Sequence, residues 1–300
     1  NESDNIEELL NRVRGSVSAL DYDFEFIVID NNSTDGTQEK LRRLALKDQR
    51  IKVIINARNF GHIRSPYYGI LQSRGVAAVY LASDLQDPPE IIPEFIREWE
   101  KGYKLVMAIK PVSQGSRFMH FIRRKYYRFL DRISDVEIIK DSTGFGLYDK
   151  EVLDKLRDIN DPYPFLRGLI CELGYEVKTL PFIQPRRVNG ITKNNFYTLF
   201  DIAMLGIVSH SKIPIRIAAF SGILMGLISV FTAIIFLILK LIFWNSFPLG
   251  SAPIVIALFF LFGIQLFFIG ILGEYIASIH TYVQKRPVVV EKERINFEIN

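Results

Sequence analysis

Cysteine is almost absent from this chain: its 300 residues include one, Cys171. An intrachain disulfide framework is therefore excluded, and the chain suits a reducing compartment. An excess of one charge is also lacking. Lys and Arg number 37 against 33 Asp and Glu, a formal net charge of +4, and no nucleic-acid partner is expected. The motifs of several large enzyme classes are missing. There is no G-x-x-x-x-G-K-[ST] loop, no G-x-G-x-x-G after an apolar run, no H-E-x-x-H and no G-x-S-x-G. These absences weigh together against P-loop ATPases, dinucleotide-dependent dehydrogenases, zinc proteases and serine hydrolases. No secretory signal pattern is visible at the start.

Hydrophobic residues are plentiful, at 49%, but unevenly spread. The first two-thirds alternate short apolar runs with amphipathic stretches. Ile6, Leu9, Leu10 and Val13 share a helical face within Asn5 to Val17. Phe24 to Asp30, Ile51 to Ile55, Val76 to Leu81 and Lys104 to Ile109 suit buried strands. Helical stretches lie between them, so the spacing predicts a largely parallel sheet with helices on both faces.

The stretch Val79 to Glu90 organises the rest. An apolar run ends abruptly in Asp84-Leu85-Gln86-Asp87, and Pro88 to Glu90 opens a helix. Asp87 suits a cap and Glu90 the third residue of a capping box. If the chain is still extended there, Asp84 and Gln86 share one face. Two oxygen ligands at the carboxyl edge of such a sheet suit Mg²⁺ or Mn²⁺, with a substrate diphosphate completing the shell. A helix cap followed by a solvated acidic turn is the plainer alternative. A second strand ends in the polar turn Asp30 to Thr37, where Asp35 and Gln38 suit a cap and its third residue. Thr143 to Tyr148 suggests a tight turn into a short strand.

Basic residues cluster twice, at Arg117 to Arg132 and at Arg186 to Lys193. Phe196 to Val208 keeps helical apolar spacing and suits a membrane-interface helix. Ile217 to Leu239 and Pro253 to Leu272 carry no charged residue, and each matches the roughly 20 residues that cross a bilayer. Lys212 and Arg216 precede the pair, Lys285 and Arg286 follow it, and Lys240 alone lies between the two runs. That asymmetry predicts a hairpin with both ends, and the leading domain, in the cytoplasm.

Taken together, the Asp84 to Glu90 stretch, the Asp30 to Thr37 turn, Arg58-Asn59-Phe60-Gly61, and the Arg186 to Lys193 loop before two spans resemble the polyprenyl-phosphate glycosyltransferases. These belong to glycosyltransferase family 2, alongside dolichol-phosphate mannose synthases, and the resemblance covers nearly the whole chain. It implies a GT-A fold of class α/β with a C-terminal two-helix transmembrane hairpin. The division it suggests is a catalytic domain over 1–193, an interfacial region over 194–214, two spans over 215–280 and a cytoplasmic tail over 281–300. The family's first strand has no counterpart before Asn1.

The implied reaction is inverting transfer of one sugar from a nucleotide sugar, a UDP-sugar, to an undecaprenyl-type phosphate. The expected place is the cytoplasmic face of a bacterial inner membrane, and a homo-oligomer is an expectation. A transferase elongating a lipid-linked glycan and an inactive nucleotide-binding scaffold are the alternatives. By resemblance, Glu2, Asp30, Asn32, Ser33 and Asp84 face the nucleotide sugar. Asp84 and Gln86 hold Mg²⁺ or Mn²⁺, Asp84 and Asp141 are the catalytic candidates, and Arg117, Arg128, Arg187 and Lys193 meet the acceptor phosphate. Three departures stand out. Asn31 replaces the second acid of the first turn, Ala82 the first acid of a D-x-D, and Thr143-Gly144-Phe145-Gly146-Leu147 the family's Gly-Asp-Phe-Arg-Leu. A phosphate acceptor tolerates the loss of the last acid. Its second pKa is about 6, so it is already largely dianionic and needs positioning rather than a base.

Overall fold

The structure is a computed structural model that describes residues 1–110, 139, 142–185, 204–208, 211–243 and 251–297. The chain opens with α1 (Ile6–Val17), whose Ile6, Leu9, Leu10, Val13 and Val17 form the buried stripe that the spacing predicts. There follow β1 (Phe26–Asp30), α2 (Thr37–Lys47), β2 (Ile51–Asn56), α3 (Gly61–Leu71) and β3 (Ala77–Tyr80). A 3₁₀ turn at Pro89–Ile91 runs into α4 (Ile92–Glu100), then β4 (Leu105–Ile109) and β5 (Ser142–Asp149). Next come α5 (Lys150–Ile159), α6 (Leu166–Glu172), β6 (Val177–Pro181), α7 (Ile213–Ile242), α8 (Ser251–Val283) and β7 (Glu291–Ile295).

The strands form two sheets rather than one largely parallel sheet. Their orders are β1-β2-β7 and β3-β5-β4-β6. β1 and β2 run parallel, as do β4 and β6, while β5 is antiparallel to both its neighbours and β7 to β2. One apolar core spans both sheets, with Val53 and Ile55 of the first and Val106, Phe145 and Leu147 of the second in a single cluster.

Two stretches differ from expectation in ways that shape the molecule. Ser142 to Asp149 is a central strand throughout, where the sequence pattern suggests a tight turn into a short strand. Gly144 takes φ +95°, and a Cβ built at Gly146 would fall on the Val106 carbonyl oxygen and lie 2.9 Å from Met107 Sδ. Glycine is therefore what lets β4 and β5 approach there, and an arginine, as in the family pattern, has no room. The C-terminal tail is also more than a tail. β7 pairs with β2 from Val53↔Ile295 to Asn56↔Glu291, clamped by Glu293 accepting from Arg42 Nη2 at 2.7 Å and by Asn296 donating to the Ala45 and Ile51 carbonyls.

Both long uncharged runs lie inside single helices, α7 and α8. Among the described residues, Phe260–Val283 is long and apolar enough to cross a membrane, by length and composition. Apolar side chains on both helices face outward, Phe220 at 71% and Phe267 at 65% exposure among them. The end of α8 touches the leading domain, where Tyr282 Oη donates to Asp161 Oδ2 at 2.9 Å. Residues 204–208 are helical, while 196–203 of the expected interfacial helix lie outside the described residues.

Candidate active site

The first turn is built around Asp30, which is 4% exposed at the end of β1. Its Oδ1 accepts from Ser33 N at 2.9 Å and Gln38 Nε2 at 3.1 Å, so Gln38 braces the turn instead of completing a capping box. Asn32 takes the left-handed conformation that this tight turn requires, φ +62°. The leading segment packs alongside. Asn1 Oδ1 accepts from Thr34 N, Glu2 N donates to Thr37 Oγ1, and the Glu2 carboxylate accepts from Asn5 Nδ2 at 2.6 Å. Glu2, Asp30, Asn32 and Ser33 are thus brought together.

Asn31 ties this turn to the next. Its Oδ1 accepts from Phe60 N at 2.8 Å and Asn56 Nδ2 at 3.1 Å, while its Nδ2 donates to Asn59 Oδ1 at 2.8 Å and the Gly61 carbonyl at 3.1 Å. An aspartate can accept but cannot donate, which accounts for the amide where the family pattern has an acid.

The Asp84 turn corrects three expectations. β3 ends at Tyr80, and Leu85 takes φ +60°, so strand alternation does not put Asp84 and Gln86 on one face. Asp84 Oδ1 instead accepts from Gln86 N at 3.2 Å, closing a tight turn. Asp87 caps nothing downstream. Its Oδ2 accepts from Ala82 N at 3.0 Å, folding the turn back on itself. Glu90 completes no capping box either, because Arg12 of α1 holds it through two bonds at 2.8 and 2.9 Å.

The electrostatics of this turn are distinctive. Burial, with Asp84 adding repulsion, pushes the Asp87 carboxyl up to about 6, against the Ala82 N–H and Lys110. Burial first, then the charges of Asp87 and Asp84, raises the Tyr80 hydroxyl to about 12, while Arg167 opposes. A Cβ at Gly144, where the family pattern has an acid, would lie 3.5 Å from the Tyr80 ring.

Arg167 also acts on His62. Desolvation and that arginine lower the imidazole's pKa, which leaves it neutral at pH 7. His62 lies beyond the end of β2 and Tyr80 at the end of β3, so the carboxyl ends of strands from both sheets meet at one edge. Open α/β sheets bind ligands at such an edge. Asp87, Lys110 and Arg167 belong to it and were not singled out by sequence pattern. A cap position hid Asp87, and Lys110 and Arg167 stand as single cations outside any charge run. Asp141, Arg117, Arg128, Arg187 and Lys193 lie outside the described residues.

Comparison with known proteins places the molecule. A family model, glycosyl transferase family 2, matches residues 1–157. An uncharacterized glycosyltransferase of Bacillus subtilis, YkcC, is 32% identical over 294 residues, 98% of this chain and 91% of its own length. A prophage-derived bactoprenol glucosyl transferase of Shigella flexneri is 30% identical over 98% of this chain and 95% of its own length. Among solved structures, that of S. aureus TarS 1-349 in complex with UDP is similar at 17% identity and a TM-score of 0.38, over 69% of this chain and 63% of that one. The chain belongs to glycosyl transferase family 2, and its leading domain has a GT-A-like glycosyltransferase fold.

Proposed function

We propose that the protein transfers one sugar, with inversion, from a UDP-sugar to polyprenyl phosphate at the cytoplasmic face of a bacterial inner membrane. One observation carries this reading: the end of a long apolar helix bonds to Asp161, and the loop bearing Asp161 reaches, through Tyr163 against Arg64, the α3 turn that Asn31 ties to the Asp30 turn. A lipid-linked acceptor keeps its chain in the bilayer, so its phosphate must be met at headgroup depth. Relatives named bactoprenol glucosyl transferases, about 30% identical over nearly the whole chain, support the same acceptor. α7 and α8 serve as two spans whose ends face the domain. The return of β7 to β2 supports that topology, because the chain rejoins the domain soon after α8.

The donor set fits a hard divalent cation. Burial raises the Asp87 carboxyl and Asp84 adds repulsion to it, both of which a cation would relieve. Among the described residues no group of three His, Cys, Asp or Glu side chains forms a site. On this reading phosphate oxygens and water would complete the shell begun by Asp84 and Gln86, as is usual for Mg²⁺. Asp84 and Gln86 would hold the ion, with Asp87 beside them; when bound it would stabilise the departing nucleoside diphosphate. Asp30 and its turn bind the nucleoside. The acceptor phosphate attacks the anomeric carbon from the face opposite the diphosphate and needs no base, consistent with a glycine at 144.

The test is label transfer from a panel of nucleotide sugars to polyprenyl phosphate, with and without Mn²⁺. A labelled lipid that survives mild base and is released by mild acid is expected. Transfer only to lipid-linked glycans, or none to any lipid while nucleotide still binds, would overturn the proposal.

A further inference from the structure

We propose that His62, Arg64 and Arg167, with the His62 and Ile63 N–H groups in the first turn of α3, form the seat for the acceptor's phosphate monoester. This inference rests on the function proposed above and names residues for a step that function leaves unassigned among the described residues.

Three elements contribute to this seat. α3 begins beyond the end of β2; Asn59 Oδ1 accepts from its Gly61 N–H at 2.8 Å, and among the described residues no side chain accepts from the next N–H groups, of His62 and Ile63. These N–H groups and the helix dipole therefore favour an anion. His62 and Arg64 extend from that same turn. The loop between α5 and α6 supplies Tyr163, whose ring lies 5.0 Å from the Arg64 guanidinium. Arg167, in the first turn of α6 just after the loop that carries Tyr163, acts electrostatically on both His62 and Tyr80.

Arg64 supplies an independent sign of a ligand. Its Nε is buried without a hydrogen-bond partner. A buried donor without an acceptor is unfavourable unless a ligand provides one. Asp161 lies in the loop that carries Tyr163, and Tyr163 N and Tyr282 Oη both donate to it. Since Tyr282 lies at the end of α8, the same loop that positions Tyr163 beneath Arg64 is tied to the helix that would emerge from the bilayer. The seat thus lies between a carboxylate-lined turn suited to the donor's metal and the apolar helix suited to the acceptor's chain. Arg64 offers a planar fork, neutral His62 a single hydrogen bond, and Arg167 charge.

A phosphate here has two sources, the lipid acceptor or the donor's diphosphate, and kinetics distinguish them. The full-length protein in neutral detergent is assayed with each substrate varied while the other is saturating. Arg64→Gln should raise the KM for polyprenyl phosphate about tenfold, the loss of one charge-assisted bond, with the donor KM within about twofold. Arg64→Lys should fall between, since it keeps charge but loses the fork. Arg167→Gln should follow Arg64→Gln. A short-chain prenyl phosphate should compete against the acceptor, and the matching prenyl alcohol should not.

An acceptor KM unmoved in both Arg64 variants overturns the proposal. A donor KM that rises equally overturns it too, and assigns the cations to the diphosphate. If Arg64→Gln does not fold, Arg64→Lys and the prenyl phosphate competition decide. Absence of wild-type transfer to polyprenyl phosphate would instead remove the proposed function itself.

Discussion

Replacing Asn31 by aspartate tests whether this residue works as a donor. In the native turn its amide nitrogen is 2.8 Å from Asn59 Oδ1 and 3.1 Å from the Gly61 carbonyl. The orientation follows from the network, because Phe60 N–H needs the oxygen and Gly61 C=O needs the nitrogen. In Asn31→Asp both donated bonds become oxygen–oxygen contacts. The Asn59 amide can turn over to donate, but it then stops accepting from Gly61 N, now held at 2.8 Å. That exchange costs about 0.5 kcal/mol, since the site is exposed. The Gly61 carbonyl has no such remedy. Losing its part-buried bond and facing a carboxylate costs about 1–2 kcal/mol.

We expect roughly 2 kcal/mol of destabilisation in all, a large share of the 5–15 kcal/mol typical of a domain. Urea unfolding followed by tryptophan fluorescence suits the measurement, since Trp99 is anchored by its indole N–H to Asp149 at 2.7 Å. Activity should fall with stability, because the α3 turn that carries His62 and Arg64 hangs from this bracket. A midpoint for Asn31→Asp equal to wild type would refute the donor role and leave the amide at this position unexplained.

Gly146→Ala should destabilise by about 1–3 kcal/mol, because the new methyl meets the Val106 carbonyl within the sheet; an unchanged melting temperature would mean that β4 and β5 part easily. Asp84→Asn should abolish most turnover while leaving the melting curve in place, since it removes a charge from a turn rather than core volume; activity indifferent to both the substitution and Mn²⁺ would exclude a metal there. The Arg42–Glu293 pair, each side chain about one-third exposed at 34% and 35%, should contribute about 0.5–1 kcal/mol in a double-mutant cycle. A coupling near zero would leave backbone pairing alone to hold β7.

How much was legible followed from how local each signal is. The stripe of α1 was plain because five apolar residues fall on one helical face, and all five are buried. The two acidic turns were legible because an apolar run stops at a carboxylate in each, at Asp30 and near Asp84. The geometry within them was not, since Leu85 at φ +60° is an unusual place for a left-handed residue. β5 was hidden by its two glycines, which suggest a turn to local pattern and a close strand approach only once Val106 is opposite. β7 was hidden because Glu-Lys-Glu-Arg-Ile has the charges of a solvated tail, which also suit an edge strand. The wall of His62, Arg64 and Arg167 comes from residues distant in sequence, and no periodicity could join them.

The pairing of β2 with β7 also has a consequence for biogenesis. Val53 finds its partner Ile295 only after almost the whole chain has been made. Until then the outer edge of β2 stays open, a template for stray strands, and its closure waits on a contact between the two ends of the described chain. On the proposed two-span topology, insertion of the intervening helices would precede completion of the sheet. A chain whose helices failed to insert and turn back would then hold residue 291 away from β2, so the last strand would act as a check that the membrane part is in place. Chains released at Arg286 should accordingly be cut faster by protease around β2 than full-length protein, and should aggregate from detergent at lower concentration.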